Sequence, residues 1–248
     1  MRFLAILLLA CLIPSLAPAG AIADIEIYDR SAGSALPVYQ HRGRMYVAGE
    51  PQHQYEIRIR NVSTLRTLAV ASVDGVNVIT GETAAEQQSG YVLAAYESVE
   101  IDGWRKSLND VATFYFTSLG DSYAARTGRP DNVGVIGVAL FRERVRCCER
   151  AENKVRDAAK ADMPAARESS DSAAPLAEGR LGTGHGHRED SAARYVDFER
   201  AAASPDETIV IYYDSMRNLM KQGVVPRHRP AYQKHGPRPF PHGFVPDP

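Results

Sequence analysis

Two histidines stand two residues apart in the run Gly182-Thr183-Gly184-His185-Gly186-His187. Imidazole is a common metal ligand, and in an extended chain residues i and i+2 lie on one side, so His185 and His187 could share a zinc or copper ion. A catalytic zinc takes three protein ligands, and spacing supplies only these two. The competing reading is a flexible glycine-rich loop whose histidines are incidental. A phosphate cradle is a poor match, because the Gly-Lys-Ser/Thr ending is missing. His228, His235 and His242 recur every seven residues further on, a spacing that a flexible chain could use to hold metal loosely.

A second constellation lies in the stretch from Gly120 to Asn132, which is long for a connection between strands. Tyr123, Arg126, Arg129 and Asp131 offer a stacking ring and bidentate donors for an anionic or sugar ligand; Arg to carboxylate pairing within the loop is the alternative. Trp104, the only tryptophan, follows Asp102-Gly103 and could adjoin that loop, although a core position suits it better than a ligand platform. No Ser, His and Asp set can be assigned and no nucleophile elbow is present, so catalytic residues are not proposed. Asn61-Val62-Ser63 matches a glycosylation sequon.

Strands must position these groups. Tyr55-Glu56-Ile57-Arg58-Ile59-Arg60 alternates apolar and charged side chains with the period of two of a half-buried strand. Thr67 to Val73, Val76 to Ile79, Gly90 to Leu93, Ser98 to Ile101, Val111 to Phe116 and Val133 to Phe141 are further apolar runs. Asp74-Gly75 and Asp102-Gly103 read as tight hairpin turns, and Gly134 and Gly137 as a bulge or a close backbone approach. Residues 24–145 therefore predict an all-β domain, an antiparallel β-sandwich of immunoglobulin-like type with seven to nine strands. Residues 146–180 are polar and read as a partly helical or disordered linker. Residues 181–223 predict a β-hairpin, Tyr195 to Phe198 against Thr208 to Tyr213, then a short helix capped by Asp214 or Ser215 and stopped by Gly223, all docked on the sandwich. Residues 224–248 hold seven of the fifteen prolines and predict an extended tail.

The beginning of the chain gives an address. Arg2, an apolar run of 11 residues from Phe3 to Ile13, and the small-residue sites Ala17-Pro18-Ala19 and Ala21-Ile22-Ala23 read as a signal peptide over residues 1–23. The mature chain then begins at Asp24 or at Gly20, in the periplasm or outside the cell. The alternative is a lipoprotein, with Leu8-Leu9-Ala10-Cys11 as the lipidation box and Cys11 as the anchor. Removal of Arg2 leaves 28 basic against 30 acidic side chains, a balance that argues against nucleic acid as a partner. Past the leader no run is long enough to span a bilayer as a helix. The remaining cysteines, Cys147 and Cys148, are neighbours; Cα atoms about 3.8 Å apart fall short of the roughly 4.4 to 6.8 Å of an unstrained disulfide, so no internal staple is expected.

Several of these segments together carry a likeness: Ser72-Val73-Asp74-Gly75-Val76-Asn77-Val78, Ser89 to Leu93, Ile101-Asp102-Gly103-Trp104-Arg105, Asp121 to Gly128, and Leu181 to Gly186. The chain resembles a group of uncharacterised exported proteins of proteobacteria, which implies their fold and an envelope location and transfers no activity. The expected function is a non-enzymatic binding or protein-interaction module without a cofactor, reaching a protein or envelope component through the sandwich loops or the proline-rich tail. The alternative is a metal-binding protein or metal-dependent enzyme, with zinc or copper on His185 and His187.

Overall fold

Apolar side chains at alternate positions fold about half of the described residues into pleated strands that hide one face. The computed structural model describes residues 22–145 and 179–226. The leader through residue 21, Cys147 and Cys148, almost all of the linker, and the tail from residue 227 lie outside the described residues. In chain order the strands are β1 (Ala23–Asp29), β2 (Ser34–Ala35), β3 (Val38–His41), β4 (Arg44–Gly49), β5 (Gln54–Asn61), β6 (Thr67–Val73) and β7 (Val76–Asn77). Then come β8 (Tyr91–Leu93), β9 (Ser98–Ile101), β10 (Gly103–Arg105) and β11 (Asp110–Ser118), the short helix α1 (Tyr123–Arg126), and β12 (Val135–Arg142). The last elements are β13 (Leu181–Asp190), β14 (Glu207–Ser215) and helix α2 (Met216–Lys221).

The fold is all-β, with two sheets around one core. The first sheet runs β2-β1-β5, continues from β5 to β9 and β11, and ends with β10 and β13 paired to β11. The second has the order β3-β4-β14-β12-β6, with β7 and β8 both on β6. Ile25, Ile27, Tyr55, Ile57, Ile59, Phe114 and Phe116 of the first sheet meet Ala71, Val73, Ile136, Val138, Leu140 and Ile211 of the second in a single buried cluster. Burying an aliphatic side chain of this size contributes roughly 1.5–3 kcal/mol, so this cluster is the main source of stability.

Several expectations need correction. Among the described residues twelve strands precede residue 145, more than the seven to nine expected, because several are only two to four residues long. Asp74-Gly75 does make the tight turn, with φ of 53° and 73°. Asp102-Gly103 does not: β9 pairs with β5, and after Asp102 the same extended stretch passes over to β11 as β10. The hairpin expected from Tyr195 to Tyr213 is absent, since residues 191–199 have no regular structure. Instead β14 lies inside the second sheet, antiparallel to β12 and parallel to β4. That parallel pair breaks the wholly antiparallel pattern. It also makes residues 207–215 part of the centre rather than a docked addition.

Helix α2 follows the expected plan. Ser215 caps it by accepting from the Asn218 N–H at 3.3 Å, and Gly223, at φ 75°, follows its end. Asp214 takes up the Ser215 N–H, the Asn218 amide and the Leu181 N–H through one oxygen and the Gln222 amide through the other, which ties α2 to β13. Ser215→Ala should lower stability by about 1 kcal/mol. A fall in the urea midpoint at constant slope checks it. Among the described residues no helix is long and apolar enough to cross a membrane.

Candidate functional site

The glycine-histidine run is not a loop but the first part of β13, hydrogen-bonded along β11. Its glycines are there because neighbours leave no room. A Cβ on Gly182 would stand 2.5 Å from Ser122 Cβ, one on Gly184 2.1 Å from the Tyr115 ring, and one on Gly186 2.2 Å from Thr113 Oγ1. Such contacts explain a strand made of a residue type that strands otherwise avoid.

Thr183, between two of those glycines, is fully buried at the junction of the sheets. Its hydroxyl meets Tyr55 Oη at 2.7 Å and Tyr213 Oη at 2.6 Å, and its N–H donates to Asp74 Oδ2 at 2.8 Å. Asp74 Oδ1 accepts from Tyr213 Oη at 2.6 Å and from the Gly134 N–H at 2.9 Å. Burial pushes the Asp74 carboxyl up to about 6, against the pull of these three donors. Burial also raises both phenols, Tyr55 and Tyr213, well above the ordinary range, so they stay protonated and donate. All four side chains are buried, and their bonds lock the sheets together.

The register of β13 decides where its histidines point. Phe114 stands opposite His185, whereas Ala112 stands opposite Arg188. One extra residue on β13 makes a bulge, and a shift of one turns every later side chain to the other face. His185 therefore shares the face of Phe114, while His187 emerges on the opposite face. The expectation that the two imidazoles lie on one side is corrected by this bulge. His187 has Gln54 Nε2 at 3.4 Å and Glu189 at 3.5 Å. Around it Arg30 grips Glu189 with two hydrogen bonds, at 2.6 and 3.1 Å, and Arg58 Nε donates to Glu56 at 2.6 Å. Half-buried Asp102, raised chiefly by its burial, adjoins the same charged face. Among the described residues no group of three or more His, Cys, Asp or Glu side chains is placed to hold a metal ion.

On the other face His185 joins two residues of the expected ligand site. Trp104 of β10 lies 4.8 Å from the ring of Tyr123 and 6.2 Å, nearly parallel, from that of His185; Tyr123 and His185 are 5.5 Å apart. Three segments build this ledge. Pairing of Trp104 with Ala112 and of His185 with Phe114 fixes two of the rings. The third sits on the first turn of α1, whose cap Ser122 accepts from the Ala125 N–H and donates to Leu119 O. Trp104 is 2% exposed, packs edge-on against Phe114 at 4.8 Å, and its buried indole N–H has no protein partner. Desolvation of its ring, then the positive charges of Lys106 and Arg126, hold the His185 pKa below its ordinary value, so this imidazole is neutral at neutral pH.

The other expected residues, Arg129 and Asp131, follow α1 in the same loop. Arg129 braces its own loop, bonded to Thr127 Oγ1 and to Gly81 O. Asp131 is exposed in the 3-10 turn Pro130–Asn132. Two ledge contributors escaped the sequence: Lys106 carried no motif, and His185 read only as a metal ligand. Elsewhere a hollow of about 360 Å³ opens among His41, Arg42, Arg44, Tyr46, Gln222 and Val224. It is formed by the β3–β4 hairpin and the end of α2, elements that supply none of the ledge residues. Comparison of the chain with known protein families, curated proteins and solved structures returns no match.

Proposed function

We propose that the protein is an exported envelope protein, periplasmic or secreted, that serves as a non-enzymatic binding module in the manner of immunoglobulin-like sandwiches. Its ligand site is the ledge of Trp104, Tyr123 and His185, with Arg126 and Lys106 at its margin. The observation that carries this reading is the pair of accessible rings, half-buried Tyr123 and exposed His185, held against buried Trp104 beside the exposed cations Arg126 and Lys106. Ring faces beside cationic side chains suit a sugar that carries a carboxylate: the sugar stacks, and the acid group takes the positive charge. An envelope location makes soluble cell-wall fragments, amino-sugar disaccharides bearing carboxylates, the first probe.

Trp104 is the sole tryptophan, so its emission reports on the ledge directly. Titration with those fragments should change that emission saturably, whereas a neutral amino-sugar oligomer should bind more weakly. Loss of one charge-assisted contact is worth about 1.5–3 kcal/mol, so Arg126→Ala should weaken binding at least tenfold. Tyr123→Ala should weaken it further without a change in the melting temperature comparable to that of a core variant. If neither probe moves the emission, the ledge is not a sugar-acid site.

A further inference from the structure

Two small-residue sites near the start of the chain offer a leader peptidase a place to cut, Ala17-Pro18-Ala19 before Gly20 and Ala21-Ile22-Ala23 before Asp24. The fold tells them apart. Ile22 is 1% exposed and belongs to the core cluster shared by both sheets; Ala23, equally buried, opens β1 opposite Asn61. The backbone at Ile22 is bonded on both sides: its N–H donates to Glu207 Oε2 at 2.8 Å, and its carbonyl accepts from the Val62 N–H at 2.9 Å. Those partners belong to β14 and to the end of β5, so Ile22 joins the two sheets.

We propose that the leader is removed at Ala19, so that the mature protein begins at Gly20 and keeps Ile22 and Ala23 as structural residues. The inference rests on the export reading above. Water is added across the Ala19–Gly20 peptide bond, giving the Ala19 carboxylate on the released leader and the Gly20 ammonium on the mature chain. A cut after Ala23 would instead remove a fully buried isoleucine, two backbone hydrogen bonds and the first pair of the β1–β5 ladder. The cut at Ala19 leaves Gly20 and Ala21 ahead of Ile22 and keeps both of its backbone bonds.

The test is expression of the full chain with its own leader in a bacterium, followed by fractionation, N-terminal sequencing and intact mass. A single exported species beginning at Gly20 is the expected result. A species beginning at Asp24, or one beginning at an acylated Cys11, overturns this inference and leaves the export reading standing. Full-length chain with Met1 and the leader intact, recovered from the cytosol, overturns both. A second measurement isolates the physical argument: leaderless chains beginning at Gly20 and at Asp24, each released from a cleavable tag, are melted side by side. The shorter chain should melt roughly 10 °C lower, the loss expected from deleting one large core side chain and its backbone bonds. Equal melting temperatures would refute the structural role given to Ile22 and with it the choice of site.

Discussion

Asp74→Ala should destabilise the protein by about 3–6 kcal/mol, because three buried donors lose their acceptor at once. The Gly134 N–H, the Thr183 N–H and the Tyr213 hydroxyl all end on this carboxylate. Each unsatisfied buried donor costs roughly 1–3 kcal/mol, and total stability for a domain is about 5–15 kcal/mol. The alanine variant therefore approaches the limit of folding at all. Asp74→Asn keeps the chain foldable: asparagine tolerates the φ of 53° found here and retains one carbonyl oxygen. With that oxygen toward Gly134 and Tyr213, its NH₂ faces the Thr183 N–H, so the variant should lose about 1–3 kcal/mol.

The same residue gives stability a pH dependence of definite sign. Its folded pKa, about 6, lies above the ordinary aspartate value of 3.8, so protonation favours the folded state. This contribution is fully present below pH 3.8 and is lost as pH rises through 6. A shift of about 2 units corresponds to ~3 kcal/mol between those limits. His185 acts in the opposite sense, since its folded pKa is lowered: its contribution is present above the ordinary histidine pKa and is lost as pH falls through the folded one. Subtracting the urea stability profile of Asp74→Asn from that of the parent isolates the aspartate. A difference that does not vary between pH 4 and pH 7 would refute a buried, titrating Asp74.

Gly103→Ala is the second large effect. A Cβ at this position would lie 1.9 Å from the carbonyl oxygen of Ala112 and 2.9 Å from Thr113 Cα, both backbone atoms that no rotamer change can move. The β10–β11 pairing must open to admit the methyl group, and Trp104 is the next residue along. Overpacking of this kind costs about 3 kcal/mol when backbone has to shift. The indole, now almost wholly buried, should gain contact with water and move its emission to longer wavelength. Gly120→Ala is the matched control, because nothing lies within 4 Å of its added methyl. Equal stability of the two variants would rule out the close approach at Gly103.

Local patterning carried most of the strand reading. The alternation from Tyr55 to Ile59 reappears as three fully buried side chains on β5, and the run Thr67 to Val73 coincides with β6. Those segments are legible because a strand's two faces are written in consecutive residues. β13 was hidden because its glycines answer to Tyr115, Thr113 and Ser122, which precede it by some 60 to 70 positions. Asp74 was legible as a turn residue and illegible as a buried acceptor, since Tyr213 comes 139 residues later. For the site, composition pointed to Trp104, Tyr123 and Arg126, and the bulge that parts His185 from His187 has no local sign. Register is a property of two strands together, and one strand's sequence does not state it.

The place of β14 bears on the order in which the chain can fold. Synthesis proceeds from the N-terminal side, yet the gap between β4 and β12 is filled only by residues 207–215. Until that segment emerges, the growing chain presents two raw sheet borders and a core lacking Ile211 and Tyr213. Contacts so distant in sequence slow folding. The second sheet thus stays unfinished until residues 207–215 are made; a helper that shields those borders meanwhile would raise the yield of native protein.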